Sequence, residues 1–267
     1  MSNKSIDTVR GYGGQARRRH ILSMLSVAMV GVLLSCSPLA ASDVTKDGWL
    51  VLSDDLSAFQ EPTGEWFMAD DARLDTKNDK HLTGDPGCGV LINGKSGVTD
   101  NLITRKQWGG VEVSLEFMIS RNSNSGVKLQ GVYEIQIVDS WRVVKLTGSD
   151  CGGIYPRAEM TPKYHVTDAG VPPRVNAARA PGRWQTLDVV FRAPRFDKSG
   201  HKVSNARFEK VALNGRLIHD NIEVAHPTGH RWREPEHAVG PLHLQADHGP
   251  VAFRNVRLRP LATASNP

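Results

Sequence analysis

The sequence predicts an all-β domain built as an antiparallel sandwich, and three observations lead to this class. Short apolar segments alternate with turns rich in Gly, Asn, Asp and Pro along most of the 267 residues. Several segments alternate apolar and polar side chains with the period of two that is typical of a half-buried strand. No segment keeps the 3.6-residue period of an amphipathic helix. Many short strands at regular spacing favour a sandwich.

The first 35 residues have the composition of an export signal. A polar stretch with three consecutive arginines, residues 17–19, precedes the apolar run at residues 21–34. This run is shorter than the roughly 20 residues that span a bilayer, and small residues follow it, as in secretory signal peptides. Arg18 and Arg19 also fit the twin-arginine pattern loosely. We therefore expect an exported bacterial protein, located in the periplasm or at the outer membrane.

The apolar run ends in Leu33-Leu34-Ser35-Cys36. A small residue followed by Cys at this point resembles a lipoprotein cleavage site, which predicts a lipid anchor on Cys36. The alternative is ordinary cleavage after Ala40-Ala41-Ser42, which leaves no anchor. Residues 36–45 then form a linker, residues 46–261 form the domain, and residues 262–267 form a tail.

The charge of the chain excludes a nucleic-acid partner. The formal net charge is +5, and residues 1–35 contribute +4 of it through five Lys and Arg against one Asp. The mature chain therefore carries only about +1, without the basic footprint of a nucleic-acid-binding domain. Two cysteines remain after Cys36. In an oxidising compartment Cys88 and Cys151 could form a disulfide, and two free buried thiols are the alternative.

Thirteen strands are predicted along the mature chain. The clearest covers residues 111–119, where Val111, Val113, Leu115, Phe117 and Ile119 share one face. The predicted strands are Trp49–Leu52, Trp66–Ala69, Arg73–Thr76, Gly89–Ile92, Asn101–Thr104, Gly110–Ile119, Gly126–Gln130, Tyr133–Asp139, Trp184–Ala193, Ala206–Leu213, Arg216–Ile222, Gly240–Gln245 and Val251–Pro260. The proline-rich stretch at 160–182 is expected to form a long loop that walls a site.

The strand at residues 133–139 is the most informative element for function. Its alternation places Glu134 and Gln136 on one face and Ile135 and Ile137 on the other. A one-residue bulge after Gln136 would bring Asp139 to the same face as Glu134. Three converging polar groups suit a sugar better than an apolar ligand. An ordinary strand with a solvated face is the alternative.

Seven motifs in order resemble one known family. They are NSG with a strand ending in QG (124–131), YEIQIVD (133–139), CGGIYP (151–156), PGRWQTLDVVF (181–191), ALNGRLI (212–218), GPLHLQADHG (240–249) and VAFRNVRLRPL (251–261). Together they are similar to the 3-keto-disaccharide hydrolase domains, over roughly residues 46–261. Lys128 stands where an aromatic residue is usual, Arg183 replaces Glu, and Ala246 is an addition. The enlarged loop at about 140–180 is particular to this chain.

The resemblance implies a concanavalin A-like jelly-roll sandwich of two antiparallel sheets, with the ligand on a concave face. It also implies a glycoside that is already oxidised at C3, so that a sugar 3-dehydrogenase acts before it. The C3 ketone acidifies the C2 hydrogen, and removal of that proton allows β-elimination of the C1 substituent, followed by hydration. This path needs a base, an acid and a group that stabilises the enediolate.

The candidate site residues follow from these chemical needs. Glu134, His248 and Asp139 are the catalytic candidates, because each can transfer a proton or orient a partner. The expected substrate-binding residues are Gln136, Lys128, Gln130, Gln245, Arg254 and Asn124. Arg254 could instead tie down the last strand. Asp247 would point away from His248 on a regular strand, so a role in orienting the loop is expected.

No cofactor is required by this chemistry, although a divalent metal fits the residues. Glu134, Asp139 and His248 would offer an oxygen and nitrogen ligand set, but no compact ligand motif is present. Two other functions remain open. A carbohydrate-binding module would need no proton-transfer groups. A conventional glucanase would need the pattern E-x-D-x-x-E, and this chain has Glu134, Gln136 and Asp139 at those positions.

Overall fold

A computed structural model describes residues 44–61 and 64–262 of the chain. Within these ranges every regular element is a strand, and none is a helix. The first nine strands are β1 (Leu50–Val51), β2 (Phe67–Ala69), β3 (Arg73–Leu74), β4 (Leu82–Thr83), β5 (Val90–Ile92), β6 (Leu102–Trp108), β7 (Val111–Ile119), β8 (Asn124–Leu129) and β9 (Tyr133–Val138). The other nine are β10 (Ala158–Glu159), β11 (His165–Val166), β12 (Gln185–Arg192), β13 (Arg195–Phe196), β14 (Lys202–Ser204), β15 (Ala206–Leu213), β16 (Arg216–Val224), β17 (Gly240–Leu244) and β18 (Val251–Pro260).

Two antiparallel sheets dominate the fold. The larger sheet has the strand order β16-β15-β12-β7-β18-β5-β2, and β1 also pairs with β18. The smaller sheet has the order β6-β17-β8-β9. Three two-stranded ribbons complete the structure, formed by β3 with β4, β10 with β11 and β13 with β14. The predicted all-β sandwich is therefore confirmed.

The hydrophobic core lies between the two sheets because each contributes the apolar side of its alternating strands. The larger sheet supplies Val113, Leu115 and Phe117 from β7, and the smaller sheet supplies Ile135 and Ile137 from β9. Tyr133 and Phe191 meet across this core with their ring centroids 5.3 Å apart. The polar side chains of the smaller sheet must then face away from the core.

Several details of the sequence prediction differ from the structure, and two of them are informative. The β10–β11 ribbon lies in the enlarged loop, and β11 falls inside the proline-rich stretch that was expected to be irregular. It forms because its paired residues, 158–159 and 165–166, contain no proline, and Pro162 lies in the turn between them. β6 also runs to Trp108, beyond the predicted end at Thr104, because it pairs with β17 along its length.

The predicted disulfide between Cys88 and Cys151 is wrong. Cys151 is a free and buried cysteine, and burial raises the pKa of its thiol to about 12. Its neighbour Gly152 packs against Ile218 of β16, at one edge of the larger sheet. Cys88 precedes β5, near the opposite edge. The width of the sheet separates the two residues.

Several predictions concern residues outside the described ranges. These are the signal peptide at 1–35, the lipid anchor on Cys36, most of the linker at 36–45 and most of the tail at 262–267. Across residues 44–61 and 64–262, no helix has the length and apolar character needed to cross a bilayer.

Candidate active site

A cavity of about 730 Å³ lies on the face of the smaller sheet that points away from the core. The sheet contributes its polar side chains to the floor, and three loops form the walls. The lining residues are Asn101, Asn124, Lys128, Gly131, Val132, Glu134, Gln136, Tyr155, Met160, Tyr164, Thr228, Gly229, His230, Arg231, His243, Gln245, Asp247 and His248. Six of the candidates from the sequence meet here, namely Asn124, Lys128, Glu134, Gln136, Gln245 and His248.

The strand register orders the floor into cross-strand rows. In the first row His243 of β17 lies opposite Lys128 of β8, which lies opposite Glu134 of β9. The second row places Gly126 opposite Gln136, and the N–H of Gln245 donates to the carbonyl of Gly126. Because neighbouring strands are about 4.8 Å apart, side chains in one row can contact a single small ligand.

Glu134 is a buried carboxylate that forms an ion pair inside the cavity. Its Oε2 lies 3.4 Å from Nζ of Lys128, and both side chains are largely shielded from solvent. Burial raises the pKa of Glu134, and the nearby charge of Lys128 opposes that rise. The backbone N–H of Glu134 donates to Thr228 Oγ1, and its carbonyl accepts from the N–H of Tyr155. Two wall loops are therefore attached to this one residue.

Gly126 provides the space for the carboxylate. A Cβ at this position would lie 2.3 Å from Oε1 of Glu134 and 3.2 Å from Oε1 of Gln245. The first distance is far below any allowed contact, so a side chain here would displace the Glu134 carboxylate. The Glu134 carboxylate and the Gln245 amide therefore lie close together over the backbone of Gly126, which has no side chain to separate them.

His248 and Asp247 form a hydrogen-bonded pair on the opposite side of the cavity from Lys128. Nδ1 of His248 lies 2.6 Å from Oδ1 of Asp247, and the amide of Gln245 donates to the same oxygen at 2.9 Å. Burial alone would raise the pKa of Asp247, but the hydrogen bonds from His248 and Gln245 hold it below its usual value. With Nδ1 directed at a carboxylate, Nε2 of His248 is the ring nitrogen left for a substrate.

Two buried side chains of the floor have polar atoms without a partner. They are Oε1 of Gln136 and Nε2 of His243, and neither has a hydrogen bond within the described part of the chain. Burial, followed by the charges of Lys128 and Arg231, lowers the pKa of His243 to about 3, so its ring is neutral near pH 7. An unsatisfied buried polar atom costs about 1–3 kcal/mol. A hydroxyl-rich ligand would supply the missing bonds.

The enlarged loop forms one wall of the cavity, as was predicted for the proline-rich stretch at 160–182. Tyr155, Met160 and Tyr164 line the cavity from this loop, and the hydroxyls of the two tyrosines lie 2.9 Å apart. Burial and the hydrogen bond with Tyr155 raise the pKa of Tyr164, so that hydroxyl keeps its proton at neutral pH. A second wall comes from residues 228–231, which the sequence had not indicated as part of a site.

Asp139 does not join this cavity, and the predicted bulge is absent. The register between β8 and β9 runs without a shift from Asn124 opposite Val138 to Leu129 opposite Tyr133. Without a bulge, the alternation of side chains places Asp139 on the opposite side of the strand from Gln136. Its carboxylate instead accepts from the backbone N–H of Asn122 at 3.0 Å, in the turn before β8. Asp139 orders this turn.

The predicted metal ligand set is consequently not assembled. Glu134 and His248 line the cavity but Asp139 does not. Among residues 44–61 and 64–262, no three His, Cys, Asp or Glu side chains come together as a metal site. The charged partners of Glu134 and His248 are Lys128 and Asp247 instead.

Arg254 and Gln130 also lie outside the cavity. Arg254 is on β18 of the larger sheet, where its Nε and Nη2 donate to Glu116 and its guanidinium stacks 4.0 Å from the Trp184 ring centroid. The alternative that it ties down the last strand fits these contacts. The side-chain nitrogen of Gln130 donates to the carbonyl of Ala238, beside a neighbouring cavity.

Two residues of the cavity, His243 and Asp247, were not among the candidates, and the sequence contained a signal for the first of them. His243 is two positions before Gln245, so the period of two already places both on one face. Asp247 was expected to point away from His248 on a regular strand, but β17 ends at Leu244 and the alternation does not extend to it. Asp247 therefore lines the cavity together with His248.

Comparison with known proteins is consistent with this fold. The family model described as a 3-keto-alpha-glucoside-1,2-lyase-like domain matches residues 48–259. A candidate glycosyl hydrolase from Parabacteroides distasonis has a similar structure, with 24% identity, a TM-score of 0.54, and coverage of 80% of this chain and 84% of its own. A second candidate glycosyl hydrolase from the same organism has 15% identity, a TM-score of 0.48, and coverage of 84% and 99%.

The first of these structures supports the fold, and the family match identifies a carbohydrate-active protein. A search of curated protein sequences gave no match.

Proposed function

Because the chain belongs to the 3-keto-alpha-glucoside-1,2-lyase-like domain family, we propose that it cleaves 3-keto-glycosides by elimination and hydration. The observation that most supports this reaction is the pairing of two unlike proton-transfer groups across one cavity. Glu134 is a buried carboxylate beside a lysine, and His248 is an imidazole beside a carboxylate. An elimination needs a base, an acid and a cation, and these groups supply all three.

In this proposal Glu134 removes the C2 hydrogen of the sugar. Its raised pKa makes it a stronger base than an exposed carboxylate. The electrons of the C2–H bond pass to the C3 ketone as an enediolate, and Lys128 stabilises the negative charge on that oxygen. The oxygen of Gln136, which has no hydrogen-bond partner in the part of the chain that the structure describes, accepts a bond from a sugar hydroxyl.

The second step breaks the bond between C1 and the leaving oxygen. The enediolate electrons re-form the C3 ketone and create a C1–C2 double bond, and the leaving oxygen takes a proton from Nε2 of His248. Asp247 stabilises the imidazolium before this transfer and fixes the ring through Nδ1. Water then adds to the double bond, so that the net result is hydrolysis.

The proposed substrate requires an earlier oxidation. A dehydrogenase that oxidises the C3 hydroxyl of a glycoside must supply the ketone, because an ordinary glycoside has no acidic C2 hydrogen. The export signal and Cys36 lead us to propose that the protein works in the periplasm, attached to a membrane by lipid. Fractionation of the wild type and Cys36→Ala tests the anchor. If both variants are equally soluble in the periplasm, the anchor proposal fails.

The decisive experiment supplies pure protein with a 3-keto-disaccharide and, separately, with its unoxidised parent. We expect turnover of the keto-sugar alone, with deuterium incorporated at C2 in heavy water. Tight binding of sugars without cleavage of any keto-sugar would favour a carbohydrate-binding module. Cleavage of the unoxidised parent would exclude elimination and would make Glu134 and Asp247 a glycosidase pair, since both carboxylates line the cavity.

A further inference from the structure

The cross-strand row that contains Glu134 continues into the enlarged loop. Ile154 pairs with Ile135 of β9 as an antiparallel bridge, and the backbone N–H of Tyr155 donates to the carbonyl of Glu134 at 3.0 Å. Residues opposite each other in an antiparallel pair have their side chains on the same face, with Cβ atoms about 5 Å apart. Tyr155 therefore lies beside Glu134 on the cavity face, and Lys128 lies on the other side of Glu134.

The hydroxyl of Tyr155 contacts a second tyrosine at the mouth of the cavity. Its oxygen lies 2.9 Å from the hydroxyl oxygen of Tyr164, which is in the turn between β10 and β11. Tyr164 is 46% exposed, whereas Tyr155 is only partly exposed. Tyr155 is thus the inner member of the pair and Tyr164 the outer member.

The two hydroxyls have one proton more than their hydrogen bonds use. Each hydroxyl has one proton to donate, and the contact between Tyr155 and Tyr164 uses one of the two. Within residues 44–61 and 64–262, neither hydroxyl makes another hydrogen bond. Because hydroxyl protons rotate, an acceptor placed beside Tyr155 can receive its proton while Tyr164 donates to Tyr155.

Other donors near Glu134 already have partners. Thr228 has the one further hydroxyl among the described residues that line the cavity, and it donates to the carbonyl of Val132 at 2.9 Å. Lys128 forms the ion pair with Glu134. The tyrosine pair therefore holds the hydroxyl proton that is available to a ligand beside the proposed base.

We propose that Tyr155 donates a hydrogen bond to the C3 oxygen of the sugar, and that Tyr164 strengthens this bond by donating to Tyr155. C3 is bonded to the carbon from which Glu134 removes the proton, so the oxygen that gains charge lies close to the base. Tyr155 and Lys128 approach that oxygen from the two sides of Glu134. Paired donors stabilise a developing oxyanion, and linked hydrogen bonds strengthen each other in a shielded cavity.

The two tyrosines have different roles in this arrangement. Tyr155 is a catalytic residue because it contacts the reacting oxygen, and Tyr164 is a positioning residue because it acts through Tyr155. Both keep their protons, so no proton transfer is added to the reaction. Burial, followed by the hydrogen bond to Tyr155, raises the pKa of Tyr164, which agrees with its role as a donor. This inference rests on the proposed function and adds a second donor for the enediolate.

The kinetic test removes each hydroxyl in turn and then both. Tyr155→Phe should lower kcat on a 3-keto-disaccharide about 10²-fold with little change in KM, because the bond strengthens in the transition state. Tyr164→Phe should lower kcat roughly tenfold, which corresponds to one hydrogen bond. The double variant should be no slower than Tyr155→Phe, because Tyr164 acts only through Tyr155.

Tyr133→Phe is the matched control, since its hydroxyl is bonded to Glu236 and does not line the cavity. It should keep the kcat of the wild type. Losses that multiply in the double variant overturn the pairing of Tyr155 with Tyr164. A wild-type kcat in Tyr155→Phe, or an equal loss in Tyr133→Phe, overturns the catalytic role of Tyr155.

A spectroscopic measurement separates this proposal from the proposed function. Carbon-13 NMR follows methyl 3-keto-glucoside, labelled at C3, when it binds to Glu134→Gln, which cannot remove the C2 proton. The C3 signal should move downfield on binding, because a hydrogen bond polarises the carbonyl. The shift should shrink when Tyr155→Phe is added to Glu134→Gln.

Each result of the NMR measurement bears on the tyrosine pair. A shift of equal size with and without Tyr155→Phe overturns the bond to C3, even where the wild type cleaves keto-sugars. If the wild type cleaves no keto-sugar, the proposed function fails, and a shift that depends on Tyr155 still supports the bond. If the labelled sugar does not bind, both proposals are overturned.

Discussion

The outward faces of the two sheets differ in how their polar groups are satisfied. On the larger sheet, charged side chains pair with each other near solvent, as Arg254 does with Glu116 and Arg259 with Glu112. On the smaller sheet, Glu134 and Lys128 are shielded from solvent, and Gln136 and His243 each have a buried atom that finds no partner among residues 44–61 and 64–262. Buried groups with unmade bonds are costly. We therefore infer that the smaller sheet carries the binding face.

This contrast arises from the loops and not from the strands. Both faces show the same alternation in sequence, with Glu112, Ser114 and Glu116 on β7 and Glu134 and Gln136 on β9. The enlarged loop and the segment at 228–231 cover only the second set. Burial converts a solvated row of polar residues into a site, because it raises the strength of each electrostatic interaction.

The largest expected effect is on turnover, and it separates the two faces. Glu134→Gln and His248→Ala should each lower kcat on a 3-keto-disaccharide on the order of 10²-fold or more, because each removes a proton-transfer group. Glu116→Gln is the matched control on the larger sheet, and its kcat should change by less than about twofold. Steady-state kinetics measures all three. A comparable loss in Glu116→Gln would refute the assignment of function to the smaller sheet.

Gly126→Ala should produce an intermediate effect by moving one side chain. The new Cβ would overlap Oε1 of Glu134, so the carboxylate must shift. We expect kcat to fall roughly tenfold or more, because small displacements of a reacting group are costly. Gly110→Ala is the control, since a Cβ there meets nothing nearer than 3.3 Å.

Both glycine variants should melt within a few degrees of the wild type, which separates a displaced carboxylate from a damaged fold. Full turnover in a folded Gly126→Ala would show that the position of Glu134 is not critical.

The sequence was sufficient for the fold class because alternation and turn residues act locally. It also identified Glu134, Gln136 and Lys128, whose common face follows from two adjacent strands. The predicted position of Asp139, on the same face as Glu134, was wrong. A bulge depends on the pairing partner, and the register of β8 and β9 has no shift. The prediction for Arg254 failed because nothing in the sequence of β18 shows which sheet that strand joins. Thr228 and Tyr155 reach the site through loops, and no strand period predicts them.

The smallest expected effect concerns stability and its dependence on pH. The pKa of Glu134 is raised in the folded protein, so the folded state holds this proton at a pH where the unfolded state has lost it. The folded state then loses stability as pH rises, by about 1.4 kcal/mol for each pH unit over which the two states differ by one proton. Glu134→Gln removes this dependence. The melting temperature of the variant relative to the wild type should therefore rise between pH 4.5 and pH 8.

The matched Glu→Gln substitution on the larger sheet should change stability in the opposite direction. Glu116→Gln breaks contacts with Arg254 and Asn255 that are partly exposed, and it should lower stability by about 1 kcal/mol or less, which is roughly 2–4 °C. Thermal melts of both variants across this pH range make the comparison. If Glu134→Gln instead became relatively less stable as pH rises, the ion pair with Lys128 would outweigh burial. The smaller sheet would then be stabilised by the same paired charges as the larger one.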